Sequence, residues 1–245
     1  MFGYGLDRRA ITIFMVILII IGVMGMTTQA WIRLLLTLPC VLISIAFHEF
    51  AHANAADKLG DTTPRNQGRL TLNPTSHIDP FGFVLLMFAG IGWGKPVQIN
   101  PNNFTSNKSR GFCESMVALA GPLMNFVIAI VACVAYYAMY CFASGFVATQ
   151  MGGLLILFLE LLITTNIGLG VFNLIPLPPL DGEKIFRNSL PYKAQRWLEE
   201  NYTTFTTLFM LLWVFGILEY IVTPIVSTIV EVLVFFVEKV FLLFL

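Results

Sequence analysis

Charge is what this sequence has little of. Asp, Glu, Lys and Arg together make up 11% of its 245 residues, against about a quarter in a soluble domain. That is too few to solvate a globular surface, so lipid has to cover much of the chain. Acidic and basic residues number 14 each, which leaves no basic field for nucleic acid and no acidic tail. The cysteines Cys40, Cys113, Cys133 and Cys141 include no Cys-x-x-Cys pair and lie in apolar surroundings. Neither a disulfide framework nor a cysteine zinc site is indicated. A small-x-small cleavage signal is also missing after the first apolar run, although Arg8 and Arg9 precede it. The run is therefore expected to remain as a first membrane span rather than leave as a signal peptide. No soluble block is large enough for a second core. A single domain over 1–245 is expected, with its core at 31–182 and C-terminal helices at 205–245.

What is abundant is apolar sequence, 57% of the chain. A helix needs about 20 apolar residues to cross the hydrocarbon core. Six segments qualify or nearly so, near 10–26, 31–57, 112–143, 151–175, 205–222 and 225–245. A seventh stretch, Pro80 to Trp93, is short and glycine-rich and reads as a re-entrant or interfacial piece. With Arg8 and Arg9 cytoplasmic, Lys58, Arg65, Arg69, Lys95, Lys108 and Arg110 fall in one cytoplasmic connection. Lys184, Arg187, Lys193 and Arg196 fall in the next. The connections near 27–30, 144–150 and 223–224 carry no Lys or Arg, and Arg33 is the exception at the outer end of the second span. The positive-inside rule predicts six spans with both termini cytoplasmic, in the cell membrane. GRLTLNP (68–74) and KPVQINP (95–101) alternate apolar and polar residues and each ends in Asn-Pro, which predicts two short strands paired as a small sheet. The expected fold is an all-α polytopic membrane protein of about six transmembrane helices. A small membrane-associated β-sheet and a re-entrant loop follow its second helix.

The chemistry concentrates in HEFAH, residues 48–52. Positions i and i+4 share a helix face, so His48 and His52 can grip one metal ion. Glu49 stands beside them, placed to take a proton from a metal-bound water. Two of the three histidines and a glutamate thus lie within five residues of one apolar span, where each ionisable group costs a few kcal/mol at mid-helix. The bland alternative is a set of polar residues satisfied between packed helices. A catalytic zinc held by two histidines needs a third protein ligand. NLIPLPPLDG (173–182) ends the fourth span in a proline-broken stretch that leads to Asp181. Asp181 reads either as that ligand or as part of an Asp-Gly turn. Asn173 is a polar amide at membrane depth, for which an interhelical hydrogen bond is the simple explanation. His77 and Asp79 read as a turn and helix start, with an orienting role as the alternative. Glu160 is either a pathway residue or a polar contact.

These motifs together resemble the site-2 protease family of intramembrane zinc metalloproteases, in its short form without PDZ or CBS domains. The matching residues are HEFAHA (48–53), GD (60–61), GRLTLNP (68–74), HIDP (77–80), GWGKPVQINPNN (92–103), AGPLMN (120–125) and FNLIPLPPLDG (172–182). The resemblance implies an enzyme that binds one zinc ion per chain through His48, His52 and Asp181. It implies Glu49 as general base, and Asn173 orienting substrate or stabilising the tetrahedral intermediate. The substrate it implies is a membrane-spanning protein within the lipid bilayer. Gly94 stands where the family often has alanine. Three other readings fit the residues less well. A prenyl-protein-type membrane zinc protease uses a glutamate ligand on a later helix, where this chain has the aspartate of a proline-rich segment. A metal transporter or sensor needs polar residues on several spans, and spans one, five and six have almost none; a catalytically dead scaffold needs a missing residue, and none is missing. Oligomeric state and substrate identity are not written in the sequence.

Overall fold

The Thr27 hydroxyl accepts a hydrogen bond from the Ala30 N–H and so starts the first long helix, α1 (Thr28–Lys58). The structure, a computed structural model, describes residues 26–89 and 94–243, together with Ile13, Val16, Ile17, Ile19, Ile20 and Met24. The expected first span, near 10–26, therefore lies for the most part outside the described residues. After α1 come α2 (Pro80–Ala89), α3 (Arg110–Phe142), α4 (Gln150–Asn173), α5 (Asp181–Asn188), α6 (Tyr192–Glu200), α7 (Tyr202–Val214) and α8 (Ile217–Phe241). Single-turn helices at Thr63–Asn66 and Ser144–Val147 join them. Ser109 caps α3 and Thr149 caps α4 through their hydroxyls, satisfying donors that the helices cannot pair internally.

Four of these helices, α1, α3, α4 and α8, are long and apolar enough to cross a bilayer. Small residues let them approach: Cys40, Ala129, Ala132 and Cys133 are buried with Leu159, Leu162, Ile163, Ile167 and Val237, and small side chains at crossings are how helices pack within lipid. Val127, Ile130, Val131 and Val134 stay exposed on α3, as a lipid-facing surface requires. Pro39, Pro122 and Pro224 each lie inside a long helix, a position that membrane helices tolerate.

The count and boundaries differ from the sequence expectation. The last two spans were placed at 205–222 and 225–245 with an outer break near 223–224. The break falls instead at Gly216, whose φ of 72° is a left-handed conformation natural to glycine, while Pro224 continues inside α8. Glu219 and Glu231, on either side of the expected break, both stand on α8. α7 has only 13 residues, about 20 Å of rise, short of the roughly 30 Å hydrocarbon core. It packs through Phe209 against Leu218 and Leu180. α2 likewise has 10 residues.

The expected small β-sheet is not formed. Among the described residues the sole pairing is one antiparallel bridge between Ile78 and Gly94. Backbone groups that a ladder would need are taken by other partners. The Val97 N–H donates to Glu49, the Asn100 N–H to Asp61 and the Arg69 N–H to the Pro64 carbonyl. His77 Nε2 donates to the Thr71 carbonyl, and Pro74, Pro96 and Pro101 have no N–H to give. Alternation therefore produced two irregular segments pinned by side chains.

Candidate active site

Helical geometry alone puts His48 and His52 on one face of α1. Their Nε2 atoms lie 3.0 Å apart, and each is 3.1 Å from Asp181 Oδ2. A near-equilateral triangle of ligand-type atoms thus joins positions up to 133 residues apart in the chain. Both histidines are buried.

The outer nitrogens of the two rings are tied as well. His52 Nδ1 is 2.7 Å from the Val117 carbonyl, which only accepts, so that nitrogen carries the proton. His48 Nδ1 is 2.6 Å from Asn125 Oδ1. With Nδ1 donating on both rings, the Nε2 lone pairs face the Asp181 carboxylate. Three acceptors so placed repel one another unless a cation sits among them. The ligand atoms of a tetrahedral zinc are roughly 3.3 Å apart, so this donor set fits such an ion.

Two glycines make the approach possible. A Cβ on Gly121 would fall 2.3 Å from His52 Nε2, so α3 can close over the imidazoles only without a side chain there. A Cβ on Gly182 would fall 2.3 Å from the Leu174 carbonyl. Only glycine lets the chain fold back against the end of α4 and present Asp181.

A cavity of about 350 Å³ opens beside the triangle, lined by His48, Glu49, His52, Val97, Asn173 and Asp181 among others. Glu49 Oε2 accepts the Val97 N–H at 2.9 Å, which fixes one carboxylate oxygen. Asn173 Nδ2 donates to the Leu169 carbonyl of its own helix at 3.0 Å, so the interhelical bond expected of it is replaced by an intrahelical one. Its second amide hydrogen has no acceptor among the described residues. Arg187, which also lines this cavity, is held by Glu183 at 2.8 Å and by Glu199 at 2.5 Å, tying α5 to α6.

All five expected site residues (His48, Glu49, His52, Asn173 and Asp181) therefore meet at one cavity. His77, Asp79 and Glu160 do not. His77 is buried and bonded to its own loop. Asp79 Oδ1 accepts the Gly82 N–H at 2.8 Å and starts α2. Glu160 accepts from Tyr136 at 3.3 Å beside a separate cavity. Sequence reasoning gave no role to Asn125, Gly121 and Val97, although they lie in the quoted motifs, and did not single out Asn166. A polar amide inside an apolar span is costly unless it is bonded, and that signal was there for both asparagines.

The fold and site define a helical membrane protein with a buried candidate metal centre between its spans. The sequence profile of peptidase family M50 matches residues 139–217, a stretch that holds Asn173 and Asp181. YwhC of Bacillus subtilis, provisionally named a zinc metalloprotease, is 34% identical over 187 residues, covering 76% of this chain and 84% of that protein. Rip2 of Mycolicibacterium smegmatis, provisionally named likewise, is 34% identical over 163 residues, covering 64% of this chain and 58% of that protein. Rip2 of Mycobacterium tuberculosis (strain H37Rv) is 30% identical over 161 residues, with the same two coverages of 64% and 58%. No solved structure matches the chain. This chain belongs to peptidase family M50, the site-2 protease family.

Proposed function

We propose that this chain is an intramembrane zinc metalloendopeptidase that cleaves membrane-spanning protein substrates. The observation that carries the reading is the convergence of His48 Nε2, His52 Nε2 and Asp181 Oδ2 within 3.1 Å. They meet beside the Glu49 carboxylate, in a cavity between helices long enough to cross a bilayer.

In this reading His48, His52 and Asp181 hold one zinc per chain. The ion, when bound, supplies Lewis acidity to the scissile carbonyl and lowers the pKa of the attacking water. Glu49 accepts the proton of that water and returns it to the leaving amine. The Val97 N–H holds Oε2, so the other oxygen is the one free to carry the proton. The unspent Asn173 N–H is available to the oxyanion that develops as the carbonyl is attacked. His48 lies ten residues before the end of α1 at Lys58, about 15 Å of helical rise, a depth that supports a reaction within the bilayer. An intact helix hides its carbonyls in internal hydrogen bonds, so the substrate segment unwinds before it is cut. The protein is multi-pass, and its spans create the low-dielectric surroundings in which these groups act most strongly.

Purified protein in detergent, given a reporter membrane helix, tests this against Glu49→Gln with bound zinc measured in both. Cleavage that disappears in the variant while zinc stays near one per chain is expected. Cleavage that survives in Glu49→Gln, or an absence of stoichiometric zinc in the wild type, defeats the mechanism.

A further inference from the structure

Behind the two histidines lies a chain of buried amides that the mechanism does not use. Asn125 on α3 and Asn166 on α4 are both fully buried, at 0% exposure. His48 Nδ1 is 2.6 Å from Asn125 Oδ1. Asn125 Nδ2 donates to the Ser44 carbonyl at 3.2 Å and to Asn166 Oδ1 at 2.9 Å. Asn166 Nδ2 donates to the Leu162 carbonyl at 2.8 Å. We propose that Asn125 and Asn166 are positioning residues that lock His48 in the tautomer whose Nε2 lone pair is free for zinc.

The direction of every bond in this chain is fixed by a backbone carbonyl, which can only accept. The Leu162 carbonyl obliges Asn166 to turn its NH2 that way, leaving Oδ1 toward Asn125. The Ser44 carbonyl, with Asn166 Oδ1, obliges Asn125 to turn its NH2 away from the histidine. Asn125 then offers His48 nothing but an oxygen, and His48 Nδ1 has to be the donor. Reversing Asn125 sets its oxygen against two acceptors at once. Reversing Asn166 to relieve one of them sets a further oxygen against Leu162. In a dry helix interface such unpaired groups have no water to turn to.

The two histidines are thus set by different means. His52 is oriented directly by the Val117 carbonyl, whereas His48 is oriented through two side chains that substitution can remove. Hydrogen bonds to the outer nitrogen of a metal-binding histidine fix its ring and tautomer, and their loss costs typically 10–100-fold in metal affinity. Asn125 follows Gly121 by one helical turn on α3, so the residue that lets α3 approach and the residue that reads His48 share one face.

This inference rests on the metal site proposed above, and its test separates the two. The chain has three histidines, so ¹⁵N-histidine labelling of the metal-free protein in detergent resolves three rings. At alkaline pH, where the rings are neutral, the nitrogen shifts report each tautomer without metal or activity. His48 is expected as the Nδ1–H form in the wild type. Asn125→Leu moves it toward Nε2–H while His52 and His77 keep their signals, and zinc affinity falls about 10–100-fold. Asn166→Leu gives a smaller shift of the same sign. Asn125→Asp, which keeps an acceptor at His48, retains the Nδ1–H form and so separates the relay from simple loss of packing. A His48 that stays Nδ1–H in Asn125→Leu, with zinc affinity unchanged, overturns the proposal. So does a wild-type His48 already in the Nε2–H form. A tautomer shift in Asn125→Leu from a wild type that binds no zinc supports the amide relay and overturns the metal reading alone.

Discussion

The backbone N–H of Val97 donates to Glu49 Oε2 at 2.9 Å, across 48 positions of sequence. The residue next to His48 is thus oriented from a segment outside α1, and the irregular 95–100 stretch is part of the candidate site rather than a mere connection.

Val97→Pro removes that donor, because proline has no N–H, and also fixes φ there and replaces the side chain. Peptide cleavage is expected to fall about tenfold, a fraction of what a general base contributes, with zinc content unchanged. Val97→Ala keeps the N–H and is expected to retain wild-type turnover in the same assay. Equal losses in the two variants would show that the side chain and not the amide matters.

Asn173→Leu removes the amide from the cavity and leaves the three proposed zinc ligands intact. Turnover is expected to drop by about 10–100-fold, toward the range seen when an oxyanion donor is deleted, with KM little changed. Steady-state kinetics on the reporter helix checks this, and unchanged turnover would remove Asn173 from the mechanism.

Gly121→Ala places a methyl group 2.3 Å from His52 Nε2. α3 or the imidazole then has to move, and zinc affinity is expected to fall by at least about tenfold. Helical content by circular dichroism is expected to persist, since alanine suits a helix better than glycine. Competition with a coloured chelator measures the affinity.

Asp61 is fully buried and accepts from the Thr63 N–H and hydroxyl, the Asn100 N–H and the Asn103 amide. Burial raises its pKa, but these donors outweigh burial and hold it below the usual carboxylate value. The folded pKa is therefore depressed. The stability it confers is complete above the unfolded value of about 3.9 and is lost as pH falls through the lower folded value. Asp61→Asn is expected to flatten that acid limb and to cost about 1–3 kcal/mol near neutrality. Thermal unfolding followed across acidic and neutral pH reads both effects.

How much of this was legible in the sequence depended on how local the determinant was. His48 and His52 are paired by the pitch of one helix, so their meeting was written in a five-residue motif. Asp181 was legible only through resemblance, because an Asp-Gly after prolines is as readily a turn. Its place depends on Gly182 passing so close to the Leu174 carbonyl that a Cβ there would fall 2.3 Å from it. The strands at 68–74 and 95–101 were misread because alternation says which faces differ, not who pairs with the backbone. Glu49 and Asp61 claimed the Val97 and Asn100 N–H groups, and the Pro64 carbonyl that of Arg69. The break at Gly216 was misplaced for the opposite reason. Pro224, at the expected connection, stays inside α8: a proline removes one bond from a helix, whereas a left-handed glycine turns the chain.

The triangle of His48, His52 and Asp181 closes a loop of 129 residues between its nearest ends. On the proposed reading the ion is therefore a reversible cross-link between the first half of the molecule and the second. A tie of that span restricts the unfolded chain far more than a local one does. Free zinc at a hundred times its dissociation constant adds about 2.7 kcal/mol to the folded state. Chelation would then lower the temperature at which the detergent-solubilised protein unravels as well as stop its chemistry, and zinc supply would govern how much of the protease survives in the membrane.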